Sequence, residues 1–376
     1  MKASAKPIRA RAAVVRELGK PFRLEDIEVA PPRDDEVRVR IVAAGICHTD
    51  LVVRDGFNVP VPVVLGHEGA GIVESVGSRV KNAKVGDHVV LSYNSCGICT
   101  ACRLGLPSAC EQLIPNNFSG VRPLDGSSPL SCNGSMLYGN FFGQSSFATY
   151  AVAHERNTVV VDKNLPLELL GPLGCGIQTG AGTVVNALRF RKGQSIAIFG
   201  AGAVGLAGLL AAVAIGASKA FVIEINPERA KLALSLGATQ VINPRETPDL
   251  LVALREASDG GVNHALDSTG RPQLMDTAIQ ALRPGGLLGI IGVPPPDGVL
   301  SLKLMDLLMR GVGVKSVLEG DSDPQIFIPQ MLRWYQEGRF PFDKLIGKFP
   351  FEQINEACRA SEVGKVIKPL LIMPEA

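Results

Sequence analysis

Two short segments of the sequence concentrate side chains that can bind a metal ion and move a proton. Residues 45–50 supply a thiol, an imidazole, a hydroxyl and a carboxylate, and residues 66–69 add an imidazole and a carboxylate. These are the ligand, orienting and proton-accepting groups of a catalytic zinc site. We therefore expect Cys47 and His67 to bind a metal ion and the rest of the chain to position them.

A second group of thiols has the spacing of a closed metal site. Cys96, Cys99, Cys102 and Cys110 fall within 15 residues. Four thiolates at this spacing can surround a tetrahedral zinc ion and leave no open position, which favours a structural site. The alternative is four free or disulfide-paired cysteines. Because clustered metal-binding thiols need reducing conditions, we expect the protein in the cytoplasm.

The candidate third ligand of the first site lies much later in the chain. Cys175 stands in a glycine-rich run at 171–182, which predicts a helix start packed closely against other residues. A single cysteine there is more often a buried small hydrophobic residue. The case for Cys175 as a ligand depends on the need of Cys47 and His67 for a partner.

Length and composition restrict the class of protein. A chain of 376 residues exceeds what one hydrophobic core usually organises, so two domains are expected. The formal net charge is only +2 and the basic residues are dispersed, which favours neither nucleic acid nor a membrane surface as partner. Residues 196–217 contain no charge, but five glycines interrupt them, so a strand, a turn and a buried helix explain them better than a membrane span.

A glycine-rich turn predicts a dinucleotide-binding unit. Gly200, Gly202 and Gly205 form a G-x-G-x-x-G pattern that follows an apolar strand and opens an Ala/Leu-rich helix, and Glu224 lies 19 residues beyond Gly205. The glycines allow the backbone to approach a pyrophosphate, and Glu224 can accept hydrogen bonds from ribose hydroxyls. An acid at this position repels a 2′-phosphate and favours NAD, whereas the nearby Arg229 could accommodate NADP.

Alternation of strands and helices continues beyond this turn. Six β segments with helical crossovers predict a doubly wound parallel sheet; they are 195–199, 220–224, 240–243, 262–267, 286–292 and 312–317. Val293 follows the fifth strand, where a nicotinamide ring is expected. The apolar last segment, 312–317, could pair across a two-fold axis, which favours a homodimer or homotetramer.

The remaining sequence predicts a β-rich domain in two pieces. Short β-like runs fill residues 12–90, and the chain after 319 resembles that part more than the parallel sheet. Residues 111–150 are expected to form a long structureless loop, which is usually functional. Its aromatic residues, including Phe118, Phe141 and Phe142, could line a substrate pocket or equally be ordinary core.

Taken together, these motifs resemble the zinc-containing medium-chain alcohol dehydrogenases over nearly the whole chain. Within that family the sequence is similar to the bacterial aryl-alcohol (benzyl-alcohol) and geraniol-type dehydrogenases, a match supported by residues 141–147 and 168–182. The resemblance implies an α/β protein with a GroES-like β-rich catalytic domain and a Rossmann domain. The expected boundaries are 1–177 with a structural-zinc lobe at 94–112, 178–318 for the NAD domain, and 319–376 for the rest of the catalytic domain.

The resemblance also implies roles for individual residues. It implies that Cys47, His67 and Cys175 bind a catalytic Zn²⁺. The carboxylates of Asp50 and Glu68 are expected to lie next to these ligands. It further implies that Thr49 accepts the alcohol proton and passes it toward His48 or water. His48 and Lys368 are expected to contact cofactor phosphates, and Thr179 is expected to contact the nicotinamide. The residues expected to contact the substrate are Tyr93, Phe118, Phe141 and Phe142. The sequence departs from liver-type relatives at Val52, where those proteins have the histidine that ends the proton relay.

The activity implied is the NAD-dependent, reversible oxidation of primary aromatic or allylic alcohols to aldehydes, with two zinc ions per chain and a small-molecule substrate. One alternative is a dehydrogenase of S-(hydroxymethyl)glutathione or of general aliphatic alcohols. A more distant alternative is a non-catalytic protein that binds zinc and a nucleotide. For such a protein we expect a metal ligand or Thr49 to be replaced, whereas this sequence retains the ligands and Thr49.

Overall fold

The computed structural model describes residues 6–56 and 59–374, which form two compact units. Unit 1 comprises Met1–Cys175, Asp323–Pro329 and Asp343–Ala376, and unit 2 comprises Gly176–Ser322 and Gln330–Phe342. The division differs from the expected one in the C-terminal part, where residues 330–342 group with unit 2. One contact that holds them there is the hydrogen bond from Arg339 Nη1 to the carbonyl of Ala214, at 3.0 Å.

The first part of unit 1 consists mainly of short strands. In chain order its elements are β1 (Ile8–Val15), β2 (Arg23–Val29), β3 (Glu36–Gly45), α1 (His48–Asp55), β4 (Val63–Val64), β5 (Gly69–Val76), β6 (His88–Leu91), α2 (Thr100–Arg103), α3 (Leu113–Phe118), β7 (Leu130–Cys132), β8 (Ser135–Leu137), β9 (Tyr150–His154), β10 (Thr158–Val161) and α4 (Leu167–Leu170). The short strands, rich in Val, Ile and Ala, suit a half-buried pleated surface.

Unit 2 alternates strands and helices. Its elements are α5 (Gly176–Gly182), β11 (Ser195–Phe199), α6 (Ala203–Ile215), β12 (Lys219–Ile223), α7 (Pro227–Ser235), β13 (Gln240–Ile242), α8 (Leu250–Ala257), β14 (Val262–Asp267), α9 (Pro272–Gln280), β15 (Leu282–Ile290), α10 (Leu304–Arg310) and β16 (Gly313–Ser316). The chain then continues through α11 (Pro324–Gln336), β17 (Ile346–Pro350), α12 (Ile354–Glu362) and β18 (Lys368–Ile372).

The strands of unit 2 form one six-stranded parallel sheet. Its order is β13-β12-β11-β14-β15-β16, which places the first strand of the unit at the centre and confirms the predicted doubly wound sheet. β11 is buried along its whole length because it has neighbours on both sides and apolar side chains on both faces. Asn226 caps α7 by accepting from the N–H groups of Glu228 and Arg229.

Unit 1 contains two sheets. One has the order β4-β1-β2-β7-β8, and the other the order β10-β6-β5-β3-β18-β17 with β9 also paired to β3. β17 and β18 come from the end of the chain, so unit 1 is assembled from both ends of the sequence. Its core joins side chains of β1, β3, α12 and β18, such as Val14, Val39, Ile354 and Leu371.

The expectation of a structureless loop at 111–150 is wrong. The segment contains α3, β7, β8 and a 3-10 turn at Phe141–Gly143. β7 and β8 have three residues each, which is too short for an alternating pattern to be recognised in the sequence. The uncharged stretch 196–217 folds as β11, a turn and α6, and within the described residues no helix is both long and apolar enough to cross a membrane.

Candidate active site

Three strand ends of the larger sheet of unit 1 bring the candidate ligands together. β3 pairs with β5 so that Ala44 lies opposite Gly69, and with β18 so that Gly45 lies opposite Leu370. Cys47 follows the end of β3, His67 and Glu68 precede the start of β5, and Lys368 begins β18. Antiparallel register therefore places residues from distant parts of the chain at one edge of the sheet.

Asp50 connects the two sequence segments that were predicted to form the site. It is fully buried in the first turn of α1, where its Oδ2 atom accepts the N–H of Cys47 at 2.9 Å. Its Oδ1 atom accepts the N–H of Gly66 at 3.0 Å and lies 2.9 Å from Nδ1 of His67. Because a carboxylate only accepts, Nδ1 carries a proton, which leaves Nε2 of His67 as the ring nitrogen that a metal ion could bind.

The donor atoms of Cys47, His67, Glu68 and Cys175 all lie within 4.8 Å of one another. Nε2 of His67 is buried and has no hydrogen-bond partner in the described part of the chain. A buried unpaired polar atom costs about 1–3 kcal/mol, so this geometry favours a bound electron-pair acceptor. Two sulfur atoms and one imidazole nitrogen are a donor set that fits zinc.

The thiol of Cys47 is activated by its neighbours. A hydrogen bond from Cys175, together with the neighbouring His67 and Lys368 side chains, holds the pKa of Cys47 well below its ordinary value, although burial opposes this. A thiolate is the form that binds metal ions. The environment therefore prepares Cys47 to act as a ligand.

Glu68 is held by a buried lysine. Nζ of Lys368 lies 2.8 and 3.0 Å from the two carboxylate oxygens of Glu68 and donates to the carbonyl of Ile46 at 3.3 Å. Burial lowers the pKa of Lys368, but the Glu68 charge outweighs it and raises that pKa, so the ammonium remains protonated. In this structure the ammonium contacts Glu68 and the Ile46 carbonyl, and the contact of Lys368 with a cofactor phosphate stays a prediction.

Aromatic rings surround His67. The ring of Phe142 stacks on the imidazole with centroids 4.3 Å apart and planes inclined by 24°, and Phe141 meets it edge-on at 5.4 Å. Phe118 contacts both phenylalanine rings. Phe141, Phe142 and Tyr93 are buried in the core, so three of the four side chains predicted to contact substrate also support the ligand cluster or the core.

The four-cysteine lobe has the geometry of a closed thiolate site. Sγ of Cys96 lies 3.9 Å from that of Cys102, and Sγ of Cys99 lies 4.0 Å from that of Cys110. A disulfide needs about 2.05 Å, whereas sulfurs at about 2.3 Å from a central tetrahedral zinc lie about 3.8 Å apart. Backbone N–H groups of Cys102 and Glu111 lower the pKa of Cys99 to about 6. The lobe therefore fits zinc.

The glycine-rich turn of unit 2 leaves room for a ligand. A Cβ atom at Gly205 would overlap the carbonyl of Gly200, so helix α6 approaches the turn at the closest possible distance. A Cβ atom at Gly202 would meet nothing within 4 Å, so no packing inside the protein demands a glycine there. Open space above a helix N-terminus fits a bound pyrophosphate.

Glu224 stabilises this turn. Its Oε2 atom accepts the N–H of Ala201 at 2.7 Å, and Oε1 accepts those of Ile225 and Asn226 at 2.8 Å each. Nearby, Nε of Arg229 is buried without a hydrogen-bond partner among the described residues. Thr179 lies in α5, and Val293 follows β15 and is 82% exposed.

The predicted proton-relay residues lie on the first turns of α1. Oγ1 of Thr49 lies 3.7 Å from Sγ of Cys47, and His48 is exposed. Val52 is 38% exposed and supplies no proton acceptor. An open pocket of about 560 Å³ is lined by His48, Val52, Asp55 and Glu362 among others, so water reaches this part of the surface.

Comparison with known proteins bears on these motifs directly. The family model described as alcohol dehydrogenase GroES-like domain matches residues 33–163, and the one described as zinc-binding dehydrogenase matches residues 203–337. A geraniol dehydrogenase of Castellaniella defragrans is 52% identical over 97% of this chain and 98% of its own length. The chain belongs to the zinc-containing medium-chain alcohol dehydrogenase family.

Solved structures agree with this assignment. Benzyl alcohol dehydrogenase of Acinetobacter calcoaceticus superposes with a TM-score of 0.94 at 45% identity, covering 98% of this chain and 100% of that one. An alcohol dehydrogenase zinc-binding domain protein of Burkholderia ambifaria gives 0.96 at 48% identity, with the same coverage. This alcohol dehydrogenase is therefore an oxidoreductase, and the predicted similarity to benzyl-alcohol and geraniol-type members is confirmed.

Some contacts at the site of this alcohol dehydrogenase had no signal in the sequence. The ion pair between Glu68 and Lys368 joins residues separated by 300 positions. Gln144 and Ser92 form hydrogen bonds close to the proposed ligands, and no sequence motif indicated a role for either. A polar residue within an aromatic run, such as Gln144 between Phe142 and Phe147, was the one available indication.

Proposed function

We propose that this alcohol dehydrogenase oxidises benzylic or allylic primary alcohols reversibly to aldehydes, with NAD as hydride acceptor and two zinc ions per chain. The observation that carries the proposal is the cluster of donor atoms from Cys47, His67 and Cys175, in which the buried Nε2 of His67 has no hydrogen-bond partner among the described residues. These three residues hold the catalytic zinc, and Cys96, Cys99, Cys102 and Cys110 hold the structural zinc.

The chemistry divides between the bound groups and the chain. When bound, zinc acts as a Lewis acid that favours loss of the alcohol proton, and the nicotinamide accepts the hydride. Thr49 Oγ1 takes the proton and passes it on, because a threonine hydroxyl cannot keep it at neutral pH. His48 or water in the adjoining open pocket receives it, since Val52 offers no acceptor.

Two buried charges adjust the ligand cluster. Asp50 orients the His67 imidazole so that Nε2 faces the thiols, and Lys368 balances the negative charge of Glu68 and Cys47. Glu68 is the carboxylate nearest the proposed metal position, and its ion pair with Lys368 holds it in reach of the ligands without leaving an uncompensated buried charge.

NAD is the proposed acceptor because of the charge at the end of β12. Glu224 places an acidic side chain where the adenosine ribose would be bound, and a carboxylate there repels a 2′-phosphate. Arg229, the exposed Val293, Thr179 and the turn at Gly200, Gly202 and Gly205 are the other proposed cofactor contacts. Comparing NADH and NADPH affinity in Glu224→Gln, with the exposed Glu228→Gln as control, tests this: a similar preference in both variants would argue against Glu224.

The substrate class rests on two observations. The relatives at 52% and 45% identity are named for geraniol and benzyl alcohol. In this chain Phe141 and Phe142 contact the His67 ring and Phe118 contacts both of them, while Tyr93 belongs to the same hydrophobic core. An aromatic environment of this kind favours flat apolar substrates. An aldehyde conjugated with a ring or a double bond also forms more readily than an isolated one.

A substrate screen tests the proposal. We expect NAD reduction with benzyl alcohol and with allylic terpenoid alcohols at a kcat/KM well above that for ethanol or for S-(hydroxymethyl)glutathione. Metal analysis should give two zinc ions per chain, one of which a chelator removes with loss of activity. The highest kcat/KM on the glutathione adduct would overturn the substrate assignment, and one zinc or none would overturn the metal assignment.

We further propose that the protein is a homodimer formed through unit 2. β16 ends the parallel sheet and pairs only with β15 within the described residues, which leaves one edge open. The preceding helix α10 exposes Leu304, Met305, Leu308 and Met309 by at least 68% each. A second copy paired antiparallel at this edge would cover both features, so Leu308→Lys with Met309→Lys should convert a dimer to a monomer in light scattering.

Free thiols support a reducing compartment. None of the eight cysteines forms a disulfide; six lie in the two ligand clusters, and Cys132 and Cys358 are buried in the core. We propose the cytoplasm as the location of the protein.

A further inference from the structure

Between two of the proposed zinc ligands lies a buried polar bridge that the mechanism above does not use. Its members are Gln144 and Ser92, which are 1% and 0% exposed. Neither side chain is a metal ligand or a group of the proposed proton relay. Both are neutral, so their effect on the site must come from position.

Gln144 holds the segment that carries His67 and Glu68. Its Nε2 atom donates to the carbonyl of His67 at 2.9 Å, and its Oε1 atom accepts the N–H of Gly69 at 3.1 Å. One side-chain amide is therefore hydrogen-bonded to the backbone on both sides of Glu68. The same Nε2 atom donates to the carbonyl of Ser92 at 3.1 Å, which connects this segment to the end of β6.

Ser92 continues the bridge toward the third ligand. Its Oγ atom donates to the carbonyl of Gly174 at 2.6 Å, and Gly174 directly precedes Cys175. A Cβ atom at Gly174 would overlap the carbonyl of Leu91, so these two backbone segments are in the closest possible contact. A continuous path of hydrogen bonds thus runs from the His67 backbone through Gln144 and Ser92 to the backbone beside Cys175.

The segment that presents Gln144 is held in an unusual conformation. Phe142 and Ser145 have φ values of +50° and +52°, in the left-handed region that non-glycine residues rarely adopt. Such residues persist only where their surroundings hold them. Here Ser145 Oγ donates to the carbonyl of Val64 at 2.7 Å, and the N–H of Phe147 donates to the carbonyl of Leu65 at 2.9 Å.

We propose that Gln144 and Ser92 are positioning residues that set the separation of His67 and Cys175 in the catalytic zinc site. Asp50 performs the corresponding task for Cys47 and His67, so the two bridges together connect all three ligands. The inference rests on the proposed assignment of these three residues as zinc ligands. A role limited to satisfying buried carbonyls is the competing explanation.

The rate of zinc release distinguishes these explanations. Gln144→Met keeps the length of the side chain and removes the amide, and Ser92→Ala removes the hydroxyl. With excess chelator, each variant should release the labile zinc about tenfold faster or more than wild type, as is typical for residues that orient metal ligands. The fold increase in the release rate of the double variant should not exceed the product of the fold increases in the two single variants, because both changes interrupt the same path of hydrogen bonds.

A spectrum gives a second measurement that is independent of turnover. In protein with cobalt(II) at the labile site, the visible bands report the geometry of the ligands. They should shift in Gln144→Met and in Ser92→Ala, because the thiolate and imidazole change their relative position. Unchanged bands together with wild-type zinc release would overturn the proposal.

Two controls separate positioning from general destabilisation. Thr158→Val removes a buried hydroxyl of unit 1 that donates to the carbonyl of His154 at 2.9 Å, outside the bridge. It should leave release of the labile zinc unchanged. The zinc of the four-cysteine lobe, also in unit 1, should be released at the wild-type rate in every variant, and its parallel acceleration would show general destabilisation and overturn the proposal.

The outcomes also separate this inference from the assignment beneath it. If Gln144→Met does not fold, Ser92→Ala, which is the smaller change, decides the question with the same measurements. Wild-type protein without a labile zinc would overturn the ligand assignment itself. If both substitutions leave the release of the labile zinc and the cobalt(II) spectrum unchanged, only the role of Gln144 and Ser92 is overturned.

Discussion

The carboxylate of Asp50 lies 2.9 Å from Nδ1 of His67 while its other oxygen accepts the N–H of Cys47 at the same distance. One buried side chain thus fixes the orientation of one proposed zinc ligand and the backbone of another. Because Asp50 is fully buried, its charge has no solvent to compensate it, and the three N–H donors around it do so instead.

Replacing Asp50 by Asn should weaken zinc binding without removing a ligand. The amide offers one acceptor and one donor in place of two acceptors, so it cannot accept from both His67 and the N–H of Cys47 as Asp50 does, and we expect a loss in zinc affinity of about 10–100-fold. Chelator competition measures this. Asp55→Asn, a change in the same helix at a carboxylate paired with Arg54, is the matched control. Equal zinc affinity in the two variants would contradict the role of Asp50.

Thr49→Val should abolish most turnover, because valine has the shape of threonine without the hydroxyl that carries the proton. Groups that transfer protons contribute about 10²–10⁴-fold, so we expect kcat to fall by at least about 100-fold. Zinc content and NADH binding should remain at wild-type levels, and Thr49→Ser should restore activity. A fully active Thr49→Val protein would remove Thr49 from the mechanism.

Cys99→Ala should reduce stability more than chemistry. A thiolate lobe without its fourth sulfur cannot retain the structural zinc, which contributes directly to folding. We expect one zinc fewer per chain and a midpoint of thermal unfolding lowered by several degrees. Cys132→Ala, a change at a cysteine outside both thiol clusters, should keep both zinc ions. A protein with one zinc fewer and an unchanged midpoint would refute the structural role of the lobe.

His264 should make unit 2 less stable in mild acid. Burial lowers the pKa of His264 below its usual 6.5, so the unfolded chain takes up the proton first as the pH falls. The contribution of neutral His264 is therefore complete above pH 6.5 and is lost as the pH falls through its lowered folded-state pKa.

Fluorescence of Trp334, the single tryptophan of the chain, follows the unfolding of unit 2. The midpoint temperature of unfolding should decrease when the pH is lowered from 7.5 to 5.5. The decrease should be smaller in His264→Gln, because the glutamine side chain takes up no proton. Identical pH dependence in the two proteins would exclude His264 as the source.

Several features were determined by the sequence itself because they depend on local spacing. The thiol spacing of residues 96–110 predicted a lobe in which the four sulfurs do converge. The glycine-rich turn after β11 and the regular alternation of strands and helices predicted the parallel sheet, since each crossover helix follows directly from the period of the apolar residues. Cys47, His67 and Cys175 were correctly expected to lie together, although the reason came from family resemblance and from the need for a third ligand.

The tertiary structure alone decided what surrounds those ligands. Antiparallel pairing of β3 with β5 and β18 brings Lys368 onto Glu68, and no local pattern encodes an ion pair across 300 residues. The stacking of Phe142 on His67 and the bridge through Gln144 likewise depend on residues with a left-handed backbone conformation, which the sequence periodicity does not predict. The proposed ligands of this protein are recognised in short motifs, whereas their geometry depends on long-range strand register and buried hydrogen bonds.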